Sequence, residues 1–399
     1  MVRIRILPVS QVLKALEKGK DSDLKVTAAV FSVIQNNTVT KKAKHGGVRL
    51  VHPSWNSLRP LWPNGRPTKR DPDVVVHGAV MCDLRIDEKT EWEVDLRSLL
   101  KRKLQTLKDE YDVSLRLGFE IEVVLLPWDK STGRVSKETR SWGSRQATHS
   151  WSSASALLSQ NKADIPVSRC MEEISMQLEE SGIEILVLHP EATYGQFEFV
   201  LGAVEALEAV DKLYHARQII EIVANQYGYR ATLHPKPLKD ETGTGAHVHF
   251  SLFSASGKNS DSPIVSEDTV EKGELERIRK IDGYFAEGLL EHLQSFSALC
   301  MPTLASYSRF AAETLNWSSS QWVCWGSDNK DAPLRMVEAG EPNQHWEFRC
   351  ADGTANAYLL AAGMIAAGLL GLKAQKPLRE PVNGMSNKIY YSSLSVRAN

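Results

Sequence analysis

The stretch SLRLGFEIEVVLL, residues 114–126, reads as a β-strand that carries two carboxylates, Glu120 and Glu122. A strand repeats every two residues, so both side chains point to one face. Two adjacent carboxylates on a mostly apolar strand repel each other, and burying either one unpaired is costly. A cation between or beside them resolves the conflict. So does a plain amphipathic strand whose polar side faces water. From this stretch alone both readings stand open.

Working outward, the same two-residue spacing recurs. GTGAHVHF, 243–250, sets His247 and His249 on one face, and HWEFRC, 345–350, does the same for Glu347 and Arg349. HPEATYGQFEF, 189–199, supplies Glu191 at a strand end and Glu198 on the next strand. Five glutamates and one histidine suffice for two hard divalent cations, and a donor set dominated by oxygen suits Mg²⁺ or Mn²⁺ better than zinc. Arg309 in SYSRF, Lys330 and Arg335 in DNKDAPLR, and Arg349 are candidate anion contacts. Each alone is equally a surface ion pair. Two metals with several cations in one site is the equipment of phosphoryl transfer.

The rest of the chain bounds these readings. Its 399 residues are 42% apolar and 24% charged, the balance of an ordinary globular protein. A net charge of −1 offers no global field for nucleic acid or an anionic membrane. LLAAGMIAAGLLGL, 359–372, is too short to span a bilayer and reads as a core helix packed through small residues. The N-terminus lacks the apolar region of a secretory signal. Five scattered cysteines without C-x-x-C spacing read as reduced thiols, which predicts a cytoplasmic protein.

Patterning predicts an α+β architecture. VRIRILPV and DVVVHGAVMCDLRI read as strands, separated by a Pro- and Trp-rich loop from His52 to Asp73. Helices are predicted over 95–112, 164–182 and 203–228, with Gly182 and Gly228 as natural stops. Strands are predicted over 183–191, 195–202, 230–237 and 246–253. A Ser-rich loop around a short helix is expected over 147–164 and a polar turn over 254–269, with helices and loops dominating thereafter. A domain boundary falls near residue 96.

Taken in order, GFEIE, HPEATYGQFEF, ATLHPKP…GTGAHVHFSL, SYSRF, WGSDNKDAPLR and EFRCADGTANAYLLAAGMIAAGLLGL resemble the motif series of the glutamine synthetase superfamily, over about residues 95–373. The likeness is to its type I branch, including glutamine synthetase-like γ-glutamyl-amine ligases and fungal relatives. The resemblance implies a small β-grasp-like domain over 1–96 and a catalytic domain over 97–399 built on an antiparallel sheet with flanking helices, both ends being shorter than usual. It implies an ATP-dependent ligase that phosphorylates a carboxylate, then lets an amine displace phosphate, with two or more Mg²⁺ or Mn²⁺ ions, in a homo-oligomeric ring.

By the same resemblance, Glu122, Glu191 and Glu198 match one metal's ligands, and Glu120, His247 and Glu347 the other's. His249 matches a nucleotide contact, Arg309 and Arg349 a carboxylate clamp, Gly243 a glycine beside the substrate amino group, and Arg335 a phosphate contact. Lys330 and His345 stand where the family commonly has Arg. AAETLNWSSSQW, 311–322, has Glu313 too early for the family's loop glutamate, and GVRLVHPSWNSL, 47–58, lacks its ammonium-binding Asp. These departures predict an organic amine as acceptor, covered by a loop with Trp55 and Trp62. Glutamine synthesis from ammonia, a non-catalytic scaffold and a metal-dependent hydrolase are the competing readings.

Overall fold

A computed structural model of the chain describes residues 4–20, 24–32, 46–66, 75–129, 131–135, 165–193, 195–238, 241–256, 280–311, 322–338 and 344–383. In chain order its elements begin with α1 (Val9–Glu17), β1 (Lys25–Thr27), β2 (Val48–Pro53), β3 (Arg59–Leu61), β4 (His77–Ala79) and β5 (Cys82–Arg85). Then come α2 (Leu96–Tyr111), β6 (Val113–Asp129), β7 (Arg134–Val135), α3 (Ile165–Glu180), β8 (Ile185–Pro190), β9 (Gln196–Leu201) and β10 (Val204–Glu205). The remainder is α4 (Ala206–Gln226), β11 (Tyr229–Thr232), β12 (Val248–Ser254), α5 (Lys280–Cys300), α6 (Leu304–Ala311), β13 (Trp325–Ser327), β14 (Leu334–Val337), β15 (His345–Phe348) and α7 (Ala357–Ala374).

The strand quoted first is the spine of the molecule. β6 runs for 17 residues. It lies inside a ten-stranded sheet of path β13-β14-β15-β12-β6-β9-β8, to which β7, β10 and β11 add through β6. All pairings are antiparallel except β13 with β14. Leu115, Leu117, Phe119, Ile121, Val123 and Leu125 are buried in the hydrophobic core, and the alternate positions carry Glu120 and Glu122 on the opposite face. The strand therefore has two faces of different chemistry, one apolar and fully buried and one polar and partly buried.

Helices cover the apolar face. α2 starts where Asp95 accepts a hydrogen bond from the Ser98 amide and ends at Asp112 in the left-handed region, φ 53°. α3 and α4 are followed by Gly182 and Gly228, both at positive φ as expected of such stops. α7 is the one described helix long and apolar enough to cross a membrane. Its buried side packs in the core instead: a Cβ on Gly371 would lie 2.0 Å from the Tyr284 carbonyl oxygen, and one on Gly288 would lie 2.4 Å from that of Ala367. Small residues let α5 and α7 touch backbone to backbone. All five cysteines are free.

Two expectations are corrected. Residues 4–8 form no strand, and a helix begins at Val9 behind Pro8, with Val9, Leu13 and Leu16 at helical spacing. The segment from His52 is not one long loop. It forms β3, pairs with β4, and is fastened to the helices: Arg59 donates to the Ser181 carbonyl (3.0 Å), His215 lies 3.0 Å from the Pro60 carbonyl, and Gln226 donates to that of Pro63 (2.9 Å). Trp62 is buried there, so it is core and not a cover for the site. Helices and loops dominate the last third as expected, and its short strands β13, β14 and β15 complete the sheet. The segments 147–164 and 257–269 lie outside the described residues.

A buried ion network ties the small sheet β1-β2-β5 to the helices. Arg97 on α2 grips Asp83 of β5 (2.7 Å) and both oxygens of Asp211 on α4 (2.6 and 3.0 Å), and Tyr358 of α7 donates to Asp211 (2.5 Å). Burial would lower the Arg97 pKa, but its two carboxylate partners raise it above the ordinary value. Replacing one member leaves the others charged and desolvated, a loss of about 3–5 kcal/mol. Arg97→Met is thus expected to lower Tm by far more than Arg102→Met, whose Glu91 partner is exposed. Equal shifts in a thermal melt would refute the network's importance.

Candidate active site

Sheet register lines the polar face up in a row. His189 on β8 stands opposite Glu198 on β9, which stands opposite Glu122 on β6. On the other side His249 on β12 stands opposite Glu347 on β15, and Glu347 opposite Arg335 on β14. Between the halves, the Glu120 amide donates to the His247 carbonyl. All six predicted metal ligands meet here. Glu120, His247 and Glu347 offer ligand atoms within 4.8 Å of one another, as do Glu122, Glu198 and His247, and Glu191 and Glu198 with His189.

The two halves differ electrostatically. His247 Nδ1 lies 2.5 Å from Glu120 Oε2 and 3.3 Å from Glu347 Oε1. His249 Nε2 lies 2.8 Å from Glu120 Oε1. Burial alone would raise the Glu120 pKa, but hydrogen bonds with His247 and His249 pull it well below the carboxylate range. Glu347 is lowered too: its burial is outweighed by His247 and Arg349. Arg349 bonds one of its oxygens, and Arg335 bonds the other at 3.0 Å.

Relief is weaker in the other half. Burial pushes Glu198 up to about 9, and the charges of Glu120, Glu122, Glu191 and Glu347 push the same way. Glu191 is also raised, by burial and then by Glu122. Nε2 of His247 is buried without a hydrogen bond and faces Glu122 Oε1 at 3.8 Å. An excess of buried carboxylate with a bare imidazole nitrogen fits divalent cations.

Two glycines stand among these side chains. A Cβ on Gly243 would come within 2.5 Å of the Pro235 carbonyl and 2.6 Å of the Arg309 side chain, and one on Gly245 within 2.8 Å of both Glu122 and His247. They make room for the site's own side chains. Arg309 is 1% exposed and donates to the carbonyls of Thr244 (2.8 Å) and Ala351 (3.2 Å). Lys330 is exposed in the turn between β13 and β14, and makes no hydrogen bond or ion pair among the described residues. His345 lies 2.8 Å from His249. Residues 312–321, with Glu313, lie outside the described residues.

Two residues escaped sequence reasoning. Gln196 donates to Glu122 Oε2 (2.7 Å) beside the Gly245 amide (2.8 Å), fixing that carboxylate's orientation. His189 sits 3.2 Å from Glu198. Both lie within the HPEATYGQFEF stretch, at even spacing from Glu198 for Gln196, but only the β8–β9 register brings His189 across to that glutamate.

A broad sheet with acids, imidazoles and guanidinium groups converging on one face is the layout of a carboxylate-rich metal enzyme. Residues 93–393 match the family model of the glutamine synthetase catalytic domain, and the chain belongs to that family. Its members are ATP-dependent ligases that use divalent metals. Protein fluG of Emericella nidulans is 32% identical over 378 residues, 94% of this chain and 38% of that protein. The type-1 glutamine synthetase 1 of Dictyostelium discoideum is 31% identical, over 71% of this chain and 54% of its own length. The chain thus spans about two-fifths to one-half of these curated relatives. Among solved structures, a glutamine synthase homologue superposes with a TM-score of 0.75 at 24% identity, over 94% of this chain and 80% of its own. A GmaS/ADP complex gives 0.71 at 25% identity, over 96% and 79%.

The electrostatics predict a pH effect. The folded, metal-free chain keeps a proton on Glu198 up to about pH 9, whereas an unfolded glutamate releases it near about 4.3. Between those values the folded state binds more protons, so metal-free stability falls as pH rises through the window. A divalent cation takes the proton's place. The gain in Tm on adding Mn²⁺ is expected to be larger at about pH 8.5 than at about pH 6. Glu198→Gln should flatten that difference, and an unchanged difference in the variant would contradict the assignment.

Proposed function

We propose that the chain is an ATP-dependent carboxylate–amine ligase that forms an amide through an acyl phosphate, with glutamate as acyl donor and an organic amine as acceptor. The observation that carries this is the single row of acids and imidazoles flanked by Arg309, Arg335 and Arg349. A hydrolase using the same ligands has no need of three cations around them. The ADP-bound state of one structural neighbour supports a nucleotide at a site of this shape.

In this reading, residues 1–96 form the small N-terminal domain and 97–399 the catalytic domain. Arg309 and Arg349 hold the amino acid's α-carboxylate, since planar guanidinium forks suit a carboxylate. The Gly243 backbone passes the amino group. His249 and Arg335 meet the nucleotide, and Lys330, in the exposed turn between β13 and β14, supplies a further cation toward its phosphates. Divalent ions held by Glu120, His247 and Glu347, and by Glu122, Glu191 and Glu198, would neutralise phosphate charge. The γ-carboxylate attacks the terminal phosphorus of ATP, and ADP leaves. The amine then attacks the acyl carbon, phosphate departs with the C–O bond's electrons, and the amine's proton passes to solvent or a site carboxylate. The missing Asp in 47–58 favours an organic amine over ammonium. A homo-oligomeric ring in the cytoplasm belongs to the same reading.

The test is phosphate release from ATP and glutamate with a panel of amines. An alkyl or aryl amine is expected to exceed ammonium in kcat/KM. Glu198→Ala and His247→Ala are each expected to lose roughly 100-fold or more, the scale of removing a charge-stabilising group. Ammonium as best acceptor would overturn the acceptor assignment, and no release with any carboxylate would overturn the ligase.

A further inference from the structure

His189 on the polar face has no part in the ligase scheme. His189 lies on β8 two residues before Glu191, and register sets it directly across from Glu198. Its Nε2 is 3.2 Å from Glu198 Oε1 and its Nδ1 is 3.7 Å from Glu191 Oε1. Nδ1 also lies 3.2 Å from the Pro190 carbonyl oxygen, a group that only accepts. A proton on Nδ1 satisfies that carbonyl and leaves the Nε2 lone pair bare toward Glu198. Metal-bound histidines are held in this manner, the second ring N–H being donated to a carbonyl or carboxylate that fixes tautomer and ring plane.

The spacing agrees. Two ligands about 2.1 Å from one ion and at right angles to each other stand about 3 Å apart, close to the separation of His189 Nε2 and Glu198 Oε1. His189, Glu191 and Glu198 present their donor atoms within 4.8 Å of one another. The His189 side chain is 40% exposed, so ligation there would not require a fully desolvated ring.

Resting on the reading that Glu122, Glu191 and Glu198 hold a divalent cation, we propose that His189 is a further ligand of that ion. It converts an all-oxygen position into a mixed imidazole–carboxylate one. Mg²⁺ takes oxygen ligands almost exclusively, whereas Mn²⁺ and later transition ions accept imidazole readily. The position therefore favours Mn²⁺ over Mg²⁺, a bias that the carboxylates alone would not impose.

Two measurements on the full chain without nucleotide test this. Calorimetric titration compares Mn²⁺ with Mg²⁺ in the wild type and in His189→Gln. The variant is expected to lose roughly tenfold in Mn²⁺ affinity, with Mg²⁺ affinity changed by less than about twofold. Anomalous diffraction from Mn²⁺-loaded wild-type crystals is expected to place an ion within about 2.3 Å of His189 Nε2. This second measurement needs no variant, so a folding defect in His189→Gln leaves the proposal exposed to refutation. An ion on the three glutamates but beyond bonding distance of His189, or an unchanged Mn²⁺ to Mg²⁺ affinity ratio, overturns the inference and leaves the ligase reading standing. No Mn²⁺ or Mg²⁺ uptake by the wild type overturns both.

Discussion

Like charges crowded on one face of a sheet are the constraint around which this molecule is organised. Glu120, Glu122, Glu191, Glu198 and Glu347 converge on a surface covered well enough that three of them are nearly fully buried. Burial of this kind opposes folding unless each carboxylate is matched. On the β12–β15 side the chain supplies its own partners, His247, His249, Arg335 and Arg349. On the β8–β9 side it sets only His189 against Glu191 and Glu198, and burial with the neighbouring carboxylates still lifts the Glu198 pKa to about 9. The asymmetry divides the face into a self-compensated half and a half poised for external positive charge.

The rest of the fold serves that arrangement. β6 can present two carboxylates on one face only because its other face is anchored in a core of Leu, Ile, Val and Phe. Helices α5 and α7, joined through glycine contacts, press that core against the sheet. Arg97 on α2 then locks the small N-terminal sheet to α4 through a buried pair of aspartates. Gln196 and the Gly245 amide hold Glu122 in one orientation, so its position relative to any ion is set before ligands arrive. Preorganisation of this sort is what gives electrostatic groups their leverage in catalysis.

Much of the fold was legible because local signals and global structure agree. α2 carries its own cap in Asp95, α3 and α4 their own stops in Gly182 and Gly228, and β6 its own alternation. The misreadings share a cause. VRIRILPV has β-branched residues but follows them with Pro8, and a helix begins where proline's fixed φ starts one. The Pro-rich segment from His52 is ordered by Ser181, His215 and Gln226, residues more than 120 positions away. Contacts of that range leave no mark in local patterning.

By itself the sequence determined which polar groups lie together along each strand: glutamates and histidines at strand spacing, arginines in ordered motifs, glycines beside them. Spacing of two along a strand dictates a shared face, and that is a local property of the backbone. Tertiary structure alone decided what those residues meet. It brought His189 across to Glu198, left Lys330 on an exposed turn, buried Trp62 in the core, and gave Gly243 and Gly245 the task of clearing space for Arg309, Glu122 and His247. Each of these follows from register between strands or packing between elements, which depends on distances across the fold and not along the chain.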